Sequence, residues 1–192
     1  MTDKLISSIK SFIDLTPKEV DCIKVLWKEK FIKKGDFFLT EGKICKQVGF
    51  IGKGLMRYYI NQDGEDKTYA FAQENNFVCN NESFLSKTPS TKIIQAIENC
   101  EVLEISYDDL QLFYKSIRQG ERFGRLVTEQ VFIQTLQELT SFYTHTPEYR
   151  YEKFIKNHSD LQQRISQYHI ASYVGVKPQS LSRIRKRISN PK

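Results

Sequence analysis

Between Lys177 and Ile188 the chain interleaves two kinds of residue. Leu181, Ile184 and Ile188 recur at three and four, the buried stripe of a helix. Gln179, Ser180, Ser182, Arg183, Arg185, Lys186 and Arg187 fall on its other faces, and Lys177 stands just before them. Amide and hydroxyl side chains pair with base edges, while guanidinium and ammonium groups grip phosphate or guanine. Upstream, Ala171, Gly175 and Leu181 carry the spacing of a helix-turn-helix. The small Ala lets two helices cross closely, the Gly permits the turn, and the Leu locks the second helix down. The chemistry expected is major-groove reading. The competing reading is a basic helical hairpin that binds a partner protein.

Other chemistries lack their residues. Cys22, Cys45, Cys79 and Cys100 form no C-x-x-C pair, and His145, His158 and His169 make no H-E-x-x-H. No structural metal is expected. Phosphate-binding G-x-x-x-x-G-K-[ST] and nucleophile-elbow G-x-S-x-G motifs do not occur. Gly52-Lys53-Gly54 lacks the third glycine of a dinucleotide loop, so the protein is expected not to be an enzyme.

Charge supports the first reading. The 192 residues carry a net +6, but residues 147–192 alone carry +7 and the first 146 carry −1. A near-neutral body with a basic tail is the footprint of a polyanion-binding appendage. The chain has 12% aromatic residues, too many for a disordered protein. Its first residues, MTDKLISSIKSFIDL, have no long apolar run or small-residue cleavage site. Neither a signal peptide nor a membrane segment is expected, and the expected location is cytoplasmic.

The elements that must position the tail follow from local signals. Thr16-Pro17-Lys18-Glu19 reads as a capping box with Pro at the first helical position, opening a helix to about Lys28. From Phe31 to Ser106 the period is two, with strand-like segments at Asp36–Thr40, Gln47–Ile60, Lys67–Ala72 and Lys92–Ile105. Glycines punctuate them, and Asn61-Gln62-Asp63-Gly64 reads as a hairpin turn, so an antiparallel β roll or jelly roll is expected. Ser106 caps a further helix. A long helix then runs from about Arg118 to Tyr143 with two apolar faces. Phe123, Leu126, Gln130, Ile133 and Gln137 follow one face; Phe132, Leu136, Leu139 and Tyr143 follow the other. The roll would cover one face. The second would meet the same helix of another subunit, or be buried in one larger core. Thr144-His145-Thr146-Pro147 breaks the helix. Helices at Pro147–His158 and Gln167–Val174 follow, Gly175 ending the second, and Pro178 opens the last.

With these parts in order, the chain resembles the Crp–Fnr superfamily of bacterial transcription regulators, in a variant similar to regulators common in Bacteroidetes. Residues 167–176, QYHIASYVGV, followed by Ser180-Leu181-Ser182-Arg183-Ile184, are similar to that family's DNA-binding signature. Residues 100–107, CEVLEISY, resemble the stretch leaving its roll. The resemblance implies an α+β fold in three parts. N-terminal helices and a cyclic-nucleotide-binding-like β roll occupy 1–116, a dimerisation helix 117–145, and a helix-turn-helix domain 146–192. Winged members carry a β hairpin after the recognition helix. Here Ser189-Asn190-Pro191-Lys192 remains, so the wing is expected to be reduced or absent.

The departures bear on the effector. Members that bind cyclic AMP carry a Gly-Glu pair and, about ten residues later, an Arg followed by Ser or Thr. Aligned between Phe77 and Tyr107, those positions hold Cys79-Asn80 and Ser90-Thr91. A buried phosphate needs a cation or converging amides. Period two would put Lys92 on the face of Ser90, the one replacement on offer. Cyclic nucleotide is therefore not the expected cofactor. Cys79, Asn80, Asn81, Glu82, Ser83, Ser90, Thr91 and Lys92 remain candidates to line a pocket for another effector, against a purely structural roll. Cys79 is a candidate redox thiol. Cys22 is the one cysteine in the first 40 residues, so the N-terminal iron–sulfur cluster of Fnr-type sensors is not expected.

The expected function is a homodimer, joined through residues 118–143, that binds double-stranded DNA as a sequence-specific transcription regulator. The resemblance also admits RNA polymerase as a contact. The alternative is a ligand-sensing adaptor whose tail binds protein.

Overall fold

The computed structural model describes residues 1–158 and 160–189. Of the stretch Ser189–Lys192, where the wing is expected to be reduced or absent, Ser189 ends the last helix and the other three residues lie outside the described residues. The chain divides into two compact units: Met1–Tyr58 with Phe71–Val131, and Tyr59–Ala70 with Phe132–Lys192.

In the first unit, helices α1 (Thr2–Lys10) and α2 (Pro17–Leu26) precede the strands. The Thr16 side chain accepts from the Glu19 amide, and the Glu19 carboxylate accepts from the Thr16 amide at 2.8 Å, the reciprocal capping box. The helix ends earlier than Lys28 because Trp27 is already extended and β1 (Lys28–Ile32) begins there. The strands continue as β2 (Phe37–Leu39), β3 (Gln47–Lys53), β4 (Met56–Gln62), β5 (Glu65–Ala72) and β6 (Phe77–Val78). After α3 (Asn81–Ser86) come β7 (Ile93–Ala96), β8 (Cys100–Ser106) and α4 (Tyr107–Ser116). They form two four-stranded sheets ordered β1-β8-β3-β6 and β2-β7-β4-β5. The pairings of β1, β2, β3 and β6 are antiparallel, as expected of a roll. Asp63 and Gly64 both have positive φ, 54° and 82°, which gives the β4–β5 turn the conformation that matches strand twist.

Phe50, Ile51, Ile94, Leu103 and Ile105 fill the roll, and Leu5, Ile9 and Ile23 cover it. The long helix α5 (Gly120–Thr144) is held by its first turns. Phe123 lies 5.6 Å from Phe113, 5.7 Å from Phe12 and 5.8 Å from Phe77, ring centre to ring centre. A Cβ on Gly124 would lie 2.7 Å from the Tyr114 hydroxyl, so the close approach of α4 and α5 requires glycine there.

The second unit contains the tip of the β4–β5 hairpin, the later part of α5, and helices α6 (Pro147–Asn157), α7 (Gln167–Val174) and α8 (Pro178–Ser189). Thr146 and Ser166 cap α6 and α7 by accepting from Tyr149 and His169 amides. Tyr151, Phe154, Leu161, Ile165, Ile170, Ala171, Val174, Leu181 and Ile184 form its buried core.

One expectation is corrected. Along α5 only Phe123 and Val127 pack into the roll core. Beyond them both apolar faces lie open on the single chain: Phe132 is 62% exposed, Leu139 53% and Phe142 57%. A core internal to one chain does not cover them.

Candidate nucleic-acid interface and effector pocket

The turn between α7 and α8 is built by Gly175, whose φ of 80° is unstrained without a Cβ. Its amide donates to the Ser172 carbonyl at 3.0 Å, and the Val176 amide donates to the Ala171 carbonyl at 2.9 Å. This closed helix end aims α8 away from α7. Leu181 and Ile184 are buried beneath α8. Gln179, Ser182, Arg183, Arg185 and Lys186 are exposed on it, Lys177 is exposed just before it, and Ser180 is half-buried.

Two cations counted in the basic tail serve inside the unit. Arg187 pairs with Glu148 of α6 at 2.5 Å, so the expected phosphate contact is already engaged. Arg150 donates to the carbonyls of Val174 at 2.9 Å, His145 at 2.7 Å and Phe142 at 3.1 Å, joining the ends of α5 and α7 to α6. Its role was invisible in sequence because all three acceptors are backbone groups. An open groove of about 840 Å³ runs between α6 and α8, its lining including Pro147, Ser180, Arg183 and Lys186.

The hairpin tip meets α7. The Ser172 hydroxyl accepts from the Thr68 amide at 2.8 Å and donates to the Asp66 carbonyl at 2.9 Å. Glu65 at the same tip is held below the usual carboxylate range by its bond to Lys67, with Lys177 adding.

The candidate effector residues are brought together in part. Asn80 is buried and its amide donates to the equally buried Ser90 hydroxyl at 2.7 Å. Ser90 in turn donates to the Lys92 carbonyl at 2.7 Å. Ser83 is buried, accepting from the Cys45 amide at 2.9 Å and donating to the Thr88 carbonyl at 2.6 Å. Asn81, Glu82 and Thr91 are exposed. Lys92 does not share the face of Ser90; its ammonium reaches Glu82 at 2.5 Å and draws that carboxylate down. Period two fails there because Ser90 precedes β7, bonded instead to the loop at Gly42 and Lys43.

The Cys79 sulfur lies 3.9 Å from that of Cys45. The bond from Cys79 draws the Cys45 thiol down to about 7, and the same bond with burial raises Cys79. Sequence reasoning also missed Arg57, a guanidinium buried on β4 that donates to Gln95 Oε1 at 3.1 Å. Its only sequence signal is a cation inside an otherwise apolar strand. Among the described residues no cluster of His, Cys, Asp and Glu is arranged to hold a metal ion. No helix among them is long and apolar enough to cross a membrane.

Residues 29–116 match the cyclic nucleotide-binding domain family. Among solved structures, FixK2 from Bradyrhizobium japonicum is 16% identical, with a TM-score of 0.74 over 85% of this chain and 84% of that one. A CooA mutant from Carboxydothermus hydrogenoformans is also 16% identical, with a TM-score of 0.70 over 86% and 78%. The catabolite activator protein of Thermus thermophilus is 18% identical, with a TM-score of 0.57 over 95% and 86%. No curated protein matches the sequence. The β roll, long helix and C-terminal helices share the fold of these solved structures, and within that fold residues 29–116 carry the cyclic nucleotide-binding domain match.

Proposed function

We propose that the protein is a homodimeric, sequence-specific DNA-binding transcription regulator of the cytoplasm, not an enzyme, whose roll does not take cyclic AMP in the usual way. The observation that carries this reading is α8: Gln179, Ser182, Arg183, Arg185 and Lys186 stand exposed on a helix locked by Leu181 and Ile184 behind the Gly175 turn, with Lys177 exposed just before it. Such a helix fits a major groove, Arg183 and Arg185 reaching bases or phosphates and Gln179, Ser180 and Ser182 acting as polar readers. Lys177 and Lys186 would grip phosphates, and Arg187 would do so only after leaving Glu148. FixK2, CooA and the catabolite activator support the reading by sharing the architecture.

The dimer rests on the open apolar length of α5. Phe132, Leu136, Leu139 and Tyr143 repeat at three and four, the spacing of a helix–helix seam. A second copy would cover the stripe and set two recognition helices about one DNA turn apart. RNA polymerase would be met at the promoter.

Titrating purified protein against DNA fragments that include its own upstream region tests the reading. Run at two salt concentrations with and without cyclic AMP, it should give selective, salt-sensitive binding that the nucleotide leaves unchanged. Binding only with the nucleotide would reinstate the effector. No selective retardation would favour a protein-binding adaptor.

A further inference from the structure

We infer that Cys45 and Cys79 form a peroxide-reactive dithiol that closes into a reversible intramolecular disulfide. Their sulfurs are 3.9 Å apart and both are free thiols. A disulfide needs about 2.05 Å, so closure asks for an approach of about 2 Å between two irregular segments. Cys45 sits in the loop between β2 and β3, and Cys79 in the turn between β6 and α3. Neither segment is locked into a sheet ladder at the thiol itself. The two are already tied, because the Cys45 amide donates to Ser83 of α3.

The two thiols are unequal: Cys45 is 3% exposed and Cys79 half-buried, and it is the hydrogen bonding around Cys45 and the pocket beside it that assign the roles. Cys45 lines an open pocket of about 170 Å³, whose wall includes Thr40, Lys43, Lys46 and Gln47, room enough for a small oxidant. The hydrogen bond with Cys79 and the Asn80 backbone favour the Cys45 thiolate, against burial and the Glu104 carboxylate of β8, and against the Gln47 carbonyl to which the thiol donates at 3.4 Å. Glu104 is itself paired with Lys30 at 2.9 Å. On the other side, burial and then Cys79 push the Tyr114 phenol of α4 up, so it stays neutral. Cys45 is thus the attacking sulfur and Cys79 the resolving one.

The Cys45 thiolate attacks one oxygen of hydrogen peroxide. The O–O bond breaks, hydroxide leaves and takes up a proton, and Cys45 becomes a sulfenic acid. The Cys79 sulfur then attacks the Cys45 sulfur; the S–O bond breaks and water leaves with the Cys79 proton. In sum two thiols and one peroxide give one disulfide and two waters, the thiols losing two electrons to the peroxide. Closure would pull the β2–β3 loop onto the segment that carries Asn80 and Ser83. Cys100 is a poor competitor, fully buried with its thiol on the Leu55 and Glu98 carbonyls. Cys22 of α2 is the competitor to exclude. The inference does not rest on DNA binding.

Full-length reduced protein is treated with hydrogen peroxide, quenched with iodoacetamide at intervals and mapped by mass spectrometry without reductant. The expected product has lost two hydrogens, yields a linked Cys45–Cys79 peptide, and is restored by dithiothreitol. Its initial rate should climb as pH rises through about 7, where Cys45 deprotonates. Cys79→Ser should halt at a Cys45 sulfenic acid that dimedone traps. A Cys22→Ser, Cys100→Ser double variant should close as the wild type does. Oxidation of Cys22 before the pair, a disulfide between chains, Cys45 sulfinic acid beside a free Cys79, or no reaction would each overturn the inference.

Discussion

The Asn80 amide donates to the Ser90 hydroxyl at 2.7 Å, and both side chains are buried. In the resemblance these positions belong to the site of the nucleotide's ribose and phosphate. Here they satisfy each other, while the nearby ammonium of Lys92 is spent on Glu82 at 2.5 Å. An entering phosphate would break the first bond and find no unpaired cation in Lys92. Cyclic AMP or cyclic GMP should therefore leave the melting temperature unchanged at concentrations that saturate ordinary binders. A concentration-dependent rise would contradict this.

Arg183 and Lys177 should separate by what they touch. Arg183→Ala should weaken operator binding by about 1–3 kcal/mol and relax the preference at one base pair. Lys177→Ala should weaken binding to all sequences alike and lower the salt slope by about one. Competition binding over a set of single-base operator variants distinguishes the two patterns.

Leu136 and Leu139 are 46% and 53% exposed on the single chain. Leu139→Glu puts a charge on the proposed seam without touching the roll core. Light scattering should show a monomer, with the far-ultraviolet circular dichroism retained. An unchanged dimer would place the subunit interface elsewhere.

Glu19 accepts from the Thr16 amide and hydroxyl, both at 2.8 Å, and from the Arg118 amide at 2.7 Å. The Thr16 amide, then the Arg118 amide and the Thr16 hydroxyl, hold its carboxyl below the ordinary value of 4.5. Because the folded state favours the ionised form, the stabilisation is fully present above that value and fades as pH falls through the lower, folded one. Glu19→Gln should cost about 1–3 kcal/mol at neutral pH, and the gap to wild type should close in acid. Urea unfolding at several pH values measures both.

Local signals were legible. The capping box at Thr16, the cap at Ser106, the Asp63-Gly64 turn and the Gly175 helix end each depend on neighbours within a few residues. The misses are of three kinds. The helix Thr2–Lys10 buries Leu5, Ile6 and Ile9 at helical spacing, a repeat of three apolar residues that is too brief to mark a helix by itself. Strand β6 has two residues and α3 six, too short for any periodicity. The rest are long-range pairings that composition cannot carry: Arg150 on three carbonyls, Arg187 on Glu148, and Cys45 beside Cys79, 34 positions apart. Lys92 marks the limit of alternation, which predicts a face only inside a regular strand.

The central claim is that two copies of α8 read DNA as a symmetric pair. Selection from random duplexes with the purified protein, followed by sequencing, tests it most directly. The account predicts enrichment of an inverted repeat whose half-sites are centred about 10 base pairs apart. Enrichment of a single unrepeated half-site, or of no sequence at all, would contradict it.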